Sequence, residues 1–548
     1  MNSSNILHVL NLLTPEIVLC GLAFGVLLLD IIFFRSDSVE HRHEQLGCSV
    51  IIGLVMVFFI YALQYMDWQN TFVVGHGAFV ASRLNTLFKM AVVGLALITV
   101  VIGFKTPYST HVGEYYGLML FSVLGMVFLI SSEDLLMIFI ALELISLTLY
   151  VLTAFQKGAR RSVEGGLKYF IFGGFSAAFL LFGLSYIYGA TGHTSLREIA
   201  GALQGDQLAK VPMKMLGIGI LFTLVGLGFK IAAAPFHLWA PDAYEGAPTP
   251  VAAMIATGSK IASFVALTKL LLIGLPAAAG SALSWPTRWH SGWAGTVAII
   301  AVLSMTIGNF AAIMQTNVKR LLAYSSVAHA GYILVAIVAI QASGVPAPSA
   351  APAIYFYIII YALTNIGAFG VVNAIGSKAG GDDFEHFTGM ARRSPYLSLL
   401  MLIFMLSLAG IPPLAGFFGK FYLFAAAVQA DPKNLGLLWL VAYAIAMSAV
   451  SLYYYLKLTK QMYVLPAKDP RRVTSNPAMN TSLGLIGLMV LLMGVFPNKV
   501  VERFENLNAN PYPIWEAAVP PPPQPEIPVP APAEKPAVPA PAAPAPKS

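Results

Sequence analysis

The chain has 548 residues, of which 57% are hydrophobic and only 10% are charged. A soluble domain carries about 25% charged residues, so this composition excludes a string of soluble domains and indicates a membrane protein. The formal net charge of +7 belongs to loops between membrane segments and does not indicate a nucleic-acid-binding surface. The two cysteines form no disulfide or iron–sulfur pattern, and the sequence contains no familiar nucleotide-binding loop.

Apolar segments long enough to cross a bilayer follow one another along almost the whole chain. About fourteen are predicted, near residues 15–34, 46–65, 83–104, 115–131, 134–155, 163–190, 212–240, 249–276, 292–313, 321–341, 352–376, 396–426, 437–461 and 481–497. The first segment lacks the basic leader of a cleaved signal peptide and is kept as a span. The sequence therefore predicts an all-α polytopic membrane protein without a soluble domain between its spans.

The predicted spans fall into groups along the chain. The first three spans occupy 1–110, five spans follow in 111–280, five more in 290–465, and the last span lies in 478–500. The remaining segment, 515–548, has proline at nearly every second or third position, which precludes regular helix and sheet. We expect this segment to be a disordered tail.

Lysine and arginine are distributed unequally between the loops. Loops after odd-numbered spans carry Arg35, Arg42, Lys105, Lys157, Arg160, Arg161, Lys319, Arg320, Lys378, Arg392, Arg393, Lys468, Arg471 and Arg472. Loops after even-numbered spans carry only Arg83, Arg197, Lys210, Lys214, Arg288 and Lys433, and Lys499 and Arg503 beyond the last span do not reverse the bias. Because cytoplasmic loops are enriched in positive charge, both termini are predicted to be periplasmic.

A few charged residues lie well inside the predicted spans. A charge at mid-bilayer costs about 2.5–3.5 kcal/mol even on the most permissive scale, so each is a candidate functional residue. Glu143 is near the middle of the fifth span, and its side chain is too short to reach water. Lys260 lies inside the eighth span beside Gly258 and Ser259, small residues that allow close helix packing.

Two further lysines lie next to prolines inside spans. Lys230 precedes Pro235 in the seventh span, and Lys420 follows Pro412 and Pro413 in the twelfth. Proline interrupts a helix, and a broken helix at membrane depth is tolerated where it lines a cavity or is buried in protein. Both lysines are therefore predicted to be functional.

Weaker candidates come from the same survey. Lys168 in the sixth span, His237 just after Pro235, and His329 in the tenth span are possible proton relays. Other lysines lie nearer the span ends and are expected to extend their charged heads towards water; they are Lys89, Lys269, Lys457 and Lys460. Asp30 is expected at the interface, and Glu164 in a surface ion pair.

The two proline-broken spans are five spans apart, and so are the spans that carry Glu143 and His329. Both residues are the ninth of their apolar runs, and similar lengths of chain separate them from Lys230 and Lys420. Because five is an odd number, the two groups would enter the membrane from opposite sides. This pattern predicts two inverted five-helix repeats, each with a Pro-broken helix, as in secondary transporters.

Five stretches resemble subunit N of bacterial NADH-quinone oxidoreductase, the respiratory complex I. They are ELISLTLYVLTAF, SVEGGLKYFIFGGFSAAFLLFGLSYIYGATG, GFKIAAAPFHLWAPDAYEGAPTPVAA, NVKRLLAYSSVAHAGY and SLAGIPPLAGFFGKFYLF. The resemblance runs from about residue 10 to 500 and does not include the proline-rich tail. The sequence is thus similar to the antiporter-like, proton-translocating subunit family.

This resemblance implies a function and a set of residues. Glu143, Lys230, Lys260 and Lys420 match the family's proton-channel residues, and Lys168 matches a further lysine of the sixth helix. The chain would translocate protons in the bacterial inner membrane, packed against sister antiporter-like subunits and small membrane subunits. NADH, FMN, iron–sulfur clusters and quinone would be used by other subunits, with no cofactor or metal in this chain.

Four alternatives differ from this interpretation. Sister subunits L and M, chloroplast and cyanobacterial relatives, and Mrp-type cation/proton antiporters share the fold. Lys420 stands where subunit M carries glutamate, and the chain lacks the additional spans of subunit L. A purely structural membrane scaffold would not need four charges inside its spans. Co-purification with flavin and iron–sulfur subunits would separate subunit N from an antiporter.

Overall fold

The computed structural model describes residues 9–67, 71–104, 108–283, 288–290, 292–341, 348–433, 435–467 and 471–509. The tail expected at 515–548, together with Lys105 and Lys468 of the charge distribution, lies outside the described residues. Helices make up most of the described chain.

The helices of the first half are numbered in chain order. They are α1 (Thr14–Leu29), α2 (Val39–Asp67), α3 (Arg83–Gly103), α4 (Val112–Ser131), α5 (Leu135–Thr153), α6 (Arg160–Thr191), α7 (Leu196–Ala202), α8 (Met213–Lys230), α9 (Ala240–Gly246), α10 (Thr249–Ala256) and α11 (Gly258–Lys269). Helices α1 and α11 continue as short π-helical turns, Asp30–Phe34 and Leu270–Gly274. Short 3-10 turns cover Gly75–Gly77, Gly205–Lys210 and Pro276–Ala278.

The second half follows the same plan. Its helices are α12 (Trp293–Ile313), α13 (Val318–Ala339), α14 (Ala350–Ala379), α15 (Met390–Arg393), α16 (Pro395–Ala409), α17 (Ala415–Gln429), α18 (Leu438–Tyr463), α19 (Pro477–Val495) and α20 (Pro497–Ala509), with a 3-10 turn at Phe384–Phe387. Two small antiparallel hairpins join β1 (Phe72–Val74) to β2 (Phe79–Ala81) and β3 (Ser281–Leu283) to β4 (Arg288–His290).

Among the described residues, 13 helical segments are long and apolar enough to cross a membrane. The break predicted in the span near 396–426 is confirmed, because Pro412 and Pro413 separate two 15-residue helices, α16 and α17. These two half-helices together replace one continuous span. The predicted class, an all-α polytopic membrane protein of about fourteen spans, is confirmed.

The two repeats begin with matching loop contacts. Asp134 accepts hydrogen bonds from the first N–H groups of α5, and Asn317 does the same for α13. Asp134 also forms an isolated β-bridge with Ser195, and Asn317 forms one with Asp383. Each bridge ties the start of a repeat's second helix to the loop that precedes its broken helix.

These capping contacts fix where α5 and α13 begin. They change which residues of the two repeats occupy the same helix position. Glu143 is the ninth residue of α5, but His329 is the twelfth residue of α13, because that helix starts at Val318, before its apolar run. By helix position, Glu143 matches Ser326, and Ser146 matches His329. Pairing Glu143 with His329 was wrong because apolarity alone hid the polar first turn that Asn317 caps.

The two broken helices also differ in where they carry lysine. Lys230 is the last residue of α8, before Pro235, whereas Lys420 is the sixth residue of α17, after Pro412 and Pro413. Lys230 lies five residues before Pro235. The residue five positions before Pro412 in the second repeat is Ser407. The inverted repeats would place Lys230 on Lys420, but the two lysines lie on different halves of their broken helices and are not equivalent.

The end of the described chain forms a separate helix, α20, which lies beyond the last predicted span and was not predicted from the sequence. Pro497 begins this amphipathic helix, and its Phe504 is buried. The Phe504 ring lies 6.1 Å from that of Phe88 and 6.2 Å from that of Tyr355, centroid to centroid. This helix covers one end of α3 and α14.

Candidate functional site

Lys230 lies in a largely apolar pocket at the first helix break. Its side chain is buried, and its Nζ donates a hydrogen bond to the Ser146 hydroxyl of α5. The same nitrogen lies 5.7 Å from the ring centroid of Tyr150 and 5.4 Å from that of Phe229. An ammonium group in this position is stabilised by one hydroxyl and by aromatic rings.

Glu143 lies on the outward-facing side of α5. It is only partly buried, and the exposed apolar residues on the same side are Leu136, Ile140, Leu147 and Val151. Its Oε1 atom is buried without a hydrogen-bond partner among the described residues. The carboxylate is near enough to Lys230 for electrostatic interaction, but within the described chain no ion pair of 4.0 Å or less joins them.

Lys260 connects α11 to the second repeat. Its buried Nζ donates to the Ser326 carbonyl oxygen at 2.8 Å and to the Ser326 hydroxyl at 2.7 Å. It also lies 5.6 Å from the Tyr361 ring centroid. The span that carries Lys260 bends at Thr257, where φ is −119° and ψ is −78°, and this bend separates α10 from α11.

His329 lies at the centre of a group of tyrosines. Its Nδ1 atom is 2.6 Å from the Tyr357 hydroxyl, and its Nε2 atom is 2.9 Å from the Tyr455 hydroxyl. Its ring lies 5.3 Å from Tyr361 and 5.5 Å from Tyr332, centroid to centroid. A histidine with a hydroxyl at each ring nitrogen can accept a proton at one side and release one at the other.

Lys420 lies beside the second helix break. Its buried Nζ donates to the Ala409 carbonyl at 3.1 Å and to the Ser448 hydroxyl at 2.8 Å. Ala409 ends α16, so the break leaves its carbonyl without a partner in the helix ladder. The Tyr332 ring centroid lies 4.9 Å from the same nitrogen.

Shared aromatic residues place three of the predicted groups in one continuous series. Tyr361 contacts both Lys260 and His329, and Tyr332 contacts both His329 and Lys420. Protonatable side chains and hydroxyl groups thus run from α11 through α13 to α17. We call Lys260, His329 and Lys420, with these two tyrosines, the central line.

A longer, more aromatic stretch separates Lys230 from the central line. The Trp239 ring lies 5.1 Å from Phe229 and 6.3 Å from Tyr244, centroid to centroid. The Tyr244 hydroxyl is 3.4 Å from the Ser326 hydroxyl, which binds Lys260. The contacts between the first break and the central line are therefore mainly between aromatic rings. The Tyr244 hydroxyl lies at the Lys260 end of this stretch.

Lys168 does not join the central line in this structure. Its Nζ pairs with Glu164 at 2.8 Å and with Asp242 at 2.7 Å, and its side chain is 40% exposed. Arg320 contacts the same Asp242 at 2.5 Å. Lys168 belongs to an ion network at the surface, and the surface ion pair expected for Glu164 is present.

His237 lies within the broken segment and is buried. Its Nδ1 atom has no hydrogen-bond partner among the described residues. Its ring is 6.3 Å from that of Tyr324, centroid to centroid. The imidazole is thus placed beside the break with one nitrogen still able to bond.

Two lysines expected to reach towards water are buried instead. Lys89 Nζ pairs with Glu16 at 2.8 Å, and Tyr61 donates to the same carboxylate at 2.9 Å. Lys269 Nζ lies 3.7 Å from Glu133 and donates to the Ile130 carbonyl. Sequence position near a span end does not reveal partners from distant segments, so these pairs were missed.

The remaining polar partners of the site were also not predicted. Serine and tyrosine cost little free energy in membrane helices, so their presence in an apolar run does not mark a functional site. The residues missed for this reason are Ser146, Ser326, Ser448 and the tyrosines around His329. Within the described part of the chain, no group of three or more His, Cys, Asp or Glu residues is arranged to hold a metal ion.

Residues 132–446 match the family model described as NADH:quinone oxidoreductase/Mrp antiporter, TM. The chain is 42% identical to NADH-quinone oxidoreductase subunit N 2 of Acidobacterium capsulatum, over 91% of this chain and 99% of that protein. It is 36% identical to subunit N of Heliobacterium modesticaldum, over 90% of this chain and 97% of that one.

Solved structures show the same relationship. A chain of respiratory complex I from Thermus thermophilus with bound aureothin matches with a TM-score of 0.71 and 32% identity, over 89% of this chain and 98% of that one. A chain of the Mrp complex from Dietzia matches with a TM-score of 0.75 over 93% of this chain and all of its own length, at 17% identity. The second match shows the fold alone.

Proposed function

Because the chain belongs to the NADH-quinone oxidoreductase subunit N family, we propose that its buried lysines, His329 and Glu143 carry the protons that this membrane subunit translocates. It is a multi-pass subunit of a translocase and packs with other antiporter-like membrane subunits. Electron transfer from NADH to quinone takes place on other subunits, where we expect FMN and iron–sulfur clusters. The Mrp antiporter is the more distant alternative.

The central line is the observation that supports this proposal best. Lys260, His329 and Lys420 are each buried, and each neighbouring pair shares a tyrosine ring. Proton transfer between such groups needs hydroxyls or water between them, and Ser326 and Ser448 supply hydroxyls at both ends. A scaffold would not need three ionisable groups at these positions, because burying each one is costly.

We propose that Glu143 and Lys230 act as the switch that loads this line. An ammonium group buried alone is destabilised, whereas a nearby carboxylate stabilises it. Lys230 is bonded to Ser146, which is one helical turn after Glu143 on α5. Turning the Lys230 side chain from Ser146 to Glu143 would retain its proton, and turning it back would favour release.

The outward position of Glu143 indicates where the control comes from. A carboxylate on a lipid-facing surface is expensive, so we propose that a neighbouring membrane subunit covers this side of α5. A polar or cationic group of that subunit would pair with the Glu143 carboxylate, which is only partly buried within this chain. When this group approaches, it would compete with Lys230 for the Glu143 carboxylate. When it withdraws, the carboxylate would again be free to pair with Lys230.

We also propose a role for the two weaker candidates and an orientation for the chain. Lys168 and Asp242 form part of the surface ion network next to the broken segment, and His237 is buried in that segment. Together they would deliver protons from the side of the 157–161 loop. This side is the cytoplasmic one if both termini are periplasmic, as the charge bias favours, in the bacterial inner membrane.

Lys260→Met tests the function directly. In vesicles that contain the assembled complex, this variant should pump fewer protons per NADH oxidised, because the line loses its middle ammonium group. Lys457→Met is a matched control, since Lys457 donates to the Ile313 and Gln315 carbonyls at and just beyond the end of α12 and lies outside the line. Wild-type proton-to-electron ratio in assembled Lys260→Met would contradict the proposal.

A further inference from the structure

A second cluster of buried charges lies away from the central line. Its members come from four separate segments: Glu16 of α1, Lys89 of α3, Glu133 of the loop between α4 and α5, and Lys269 at the end of α11. Glu133 is completely buried, and the other three are nearly so. Burial of this many ionisable groups is expensive, so a purely structural cluster should balance its charges closely.

When Arg197 at the edge of this cluster is counted, the cations outnumber the carboxylates by one. Glu16 Oε1 accepts from Lys89 at 2.8 Å and from the Tyr61 hydroxyl, whereas Glu16 Oε2 is buried without a hydrogen-bond partner among the described residues. Glu133 is paired through Oε2 with Arg197 Nε at 3.0 Å, and arginine keeps its charge in proteins. Glu16 and Glu133 therefore face Lys89, Arg197 and Lys269, and Lys269 makes the longest carboxylate contact of the three, at 3.7 Å.

The surroundings of Lys269 favour a group that exchanges its proton. Its Nζ is 3.7 Å from Glu133 Oε1, a longer contact than the neighbouring pairs, and that oxygen has no hydrogen-bond partner among the described residues. The Ile130 carbonyl accepts from Nζ at 2.7 Å and can bind either the ammonium or the neutral amine. Lys89 is close enough to repel a charge on Lys269, and Tyr355 lies near Glu133.

The cluster connects the central line to the surface. Lys269 and Lys260 belong to the same helix, about 13–14 Å apart at 1.5 Å per residue. On the other side, Arg197 is followed by Glu198, whose carboxylate contacts His193 at 3.2 Å and His76 at 3.5 Å. His76 is 86% exposed and belongs to the β1–β2 hairpin.

We propose that Lys269, Glu133 and Arg197 form a further proton-exchange site, which passes protons between Lys260 and the membrane face that carries the β1–β2 hairpin. This inference rests on the proposed function of Lys260. The proton leaves the Lys260 ammonium through water and binds the neutral Lys269 amine. Lys269 then gives it to the Glu133 carboxylate, from which it passes to Glu198 or His193 at the surface.

Lys269→Arg tests the site, because arginine preserves the charge and the ion pair but does not release its proton. In vesicles containing the assembled complex, this variant should lose roughly half or more of its protons pumped per NADH, since a fixed charge cannot exchange. A purely structural Lys269 would tolerate arginine, so a wild-type ratio overturns the proposal. Lys457→Arg is the matched control and should keep the wild-type ratio.

Two further variants complete the test. If Lys269→Arg does not assemble, the number of protons pumped per NADH is measured in Glu133→Gln instead. This number should fall, because the glutamine amide cannot accept the proton. A wild-type ratio in Glu133→Gln also overturns the proposal. Lys260→Met distinguishes a failure of the exchange site from a failure of the proposed function. A low ratio in Lys260→Met beside a normal ratio in Lys269→Arg rejects only the exchange site, whereas normal ratios in both reject the proposed function.

Discussion

The buried lysines of the proposed proton path are held by hydroxyls, carbonyls and rings, without a close carboxylate partner among the described residues. Lys230, Lys260 and Lys420 each bond to a serine, and each lies within 6 Å of an aromatic centroid. Such partners support the ammonium group without neutralising it, so the proton is not locked into an ion pair. Lys89, in contrast, is paired closely with Glu16, which suits a structural role.

This contrast predicts different results for two kinds of substitution. Lys89→Met leaves Glu16 buried with only Tyr61 as a partner, and removing one member of a buried pair costs about 3–5 kcal/mol. We expect less assembled complex and a lower melting temperature. The double variant Lys89→Met/Glu16→Gln should recover much of the loss, and equal instability of the single and double variants would contradict this account of the pair.

His329 gives the second prediction at this scale. Glutamine in its place can still bond to the Tyr357 and Tyr455 hydroxyls but cannot take up a proton. His329→Gln should therefore assemble normally and pump fewer protons per NADH, as vesicle assays with the whole complex would show. A normal ratio would mean that His329 only fastens α13 to α14 and α18.

The sequence revealed residues of the site according to how unusual they are in a membrane. Glu143 and Lys260 stand out because a charge in an apolar run is costly. Ser146 and Ser326 do not, although they hold Lys230 and Lys260, because serine is common in membrane helices. Burial of Lys269 depends on Glu133, which is far away in the sequence.

At the scale of the elements, the two breaks use proline in different ways. After α8 the chain makes an irregular turn and the short helix α9 before it enters α10, whereas α16 and α17 are separated by only a few residues. In the second break, the Gly416 N–H donates to the Ser407 hydroxyl at 3.2 Å. The ends of α16 and α17 therefore touch, and Lys420 can reach the Ala409 carbonyl.

This close approach depends on Gly416. A methyl group at this position would overlap the Ser407 carbonyl. Gly416→Ala should force the half-helices apart, destabilise the protein by about 1–3 kcal/mol and lower pumping. Gly217→Ala in α8 is the control, because a Cβ there meets no atom within 4 Å. If both variants behave as wild type in melting and pumping assays, the two half-helices do not need this contact.

Proline and apolar length predicted most elements, and local capping explains the exceptions. The breaks at Pro235 and Pro412 were visible because proline removes a helix hydrogen bond. The bend at Thr257 has no proline, so the span that carries Lys260 was predicted as one helix. The start of α13 was misplaced because Asn317 caps a turn of polar residues.

At the scale of the whole molecule, the proposed path runs from one outward side to another. Glu143 is on the exposed side of α5, and Ser448, which binds Lys420, is only partly buried on α18. The central line lies between them in the interior. A subunit built this way could receive a signal at one neighbour and present a changed charge to the next.

Orientation is the whole-molecule prediction that the loop charges support. A reporter active only in the periplasm, fused after Ser548, should be active, because basic loops remain in the cytoplasm. A second fusion in the 157–161 loop serves as the control and should be silent. The opposite pattern in a stably inserted chain would reverse the predicted topology and the side from which protons enter.

Composition and span count were sufficient for the class of this protein. The scarcity of charge and the regular apolar segments indicate a bundle of about fourteen spans, and the structure agrees. The packing of α20 over Phe88 and the cluster around Lys269 depend on tertiary contacts between distant segments. Such contacts leave no periodic pattern in a single sequence.

The most direct test of the account is the proton-to-electron ratio of Glu143→Gln in vesicles that contain the fully assembled complex. Glutamine preserves the shape and removes the charge that would hold the proton on Lys230, so proton pumping should fall, and quinone reduction should slow with it in a coupled enzyme. Glu143→Asp keeps the charge one methylene away and should be milder. If Glu143→Gln pumps at the wild-type ratio and rate, Glu143 and Lys230 are structural, and the proposed switch is wrong.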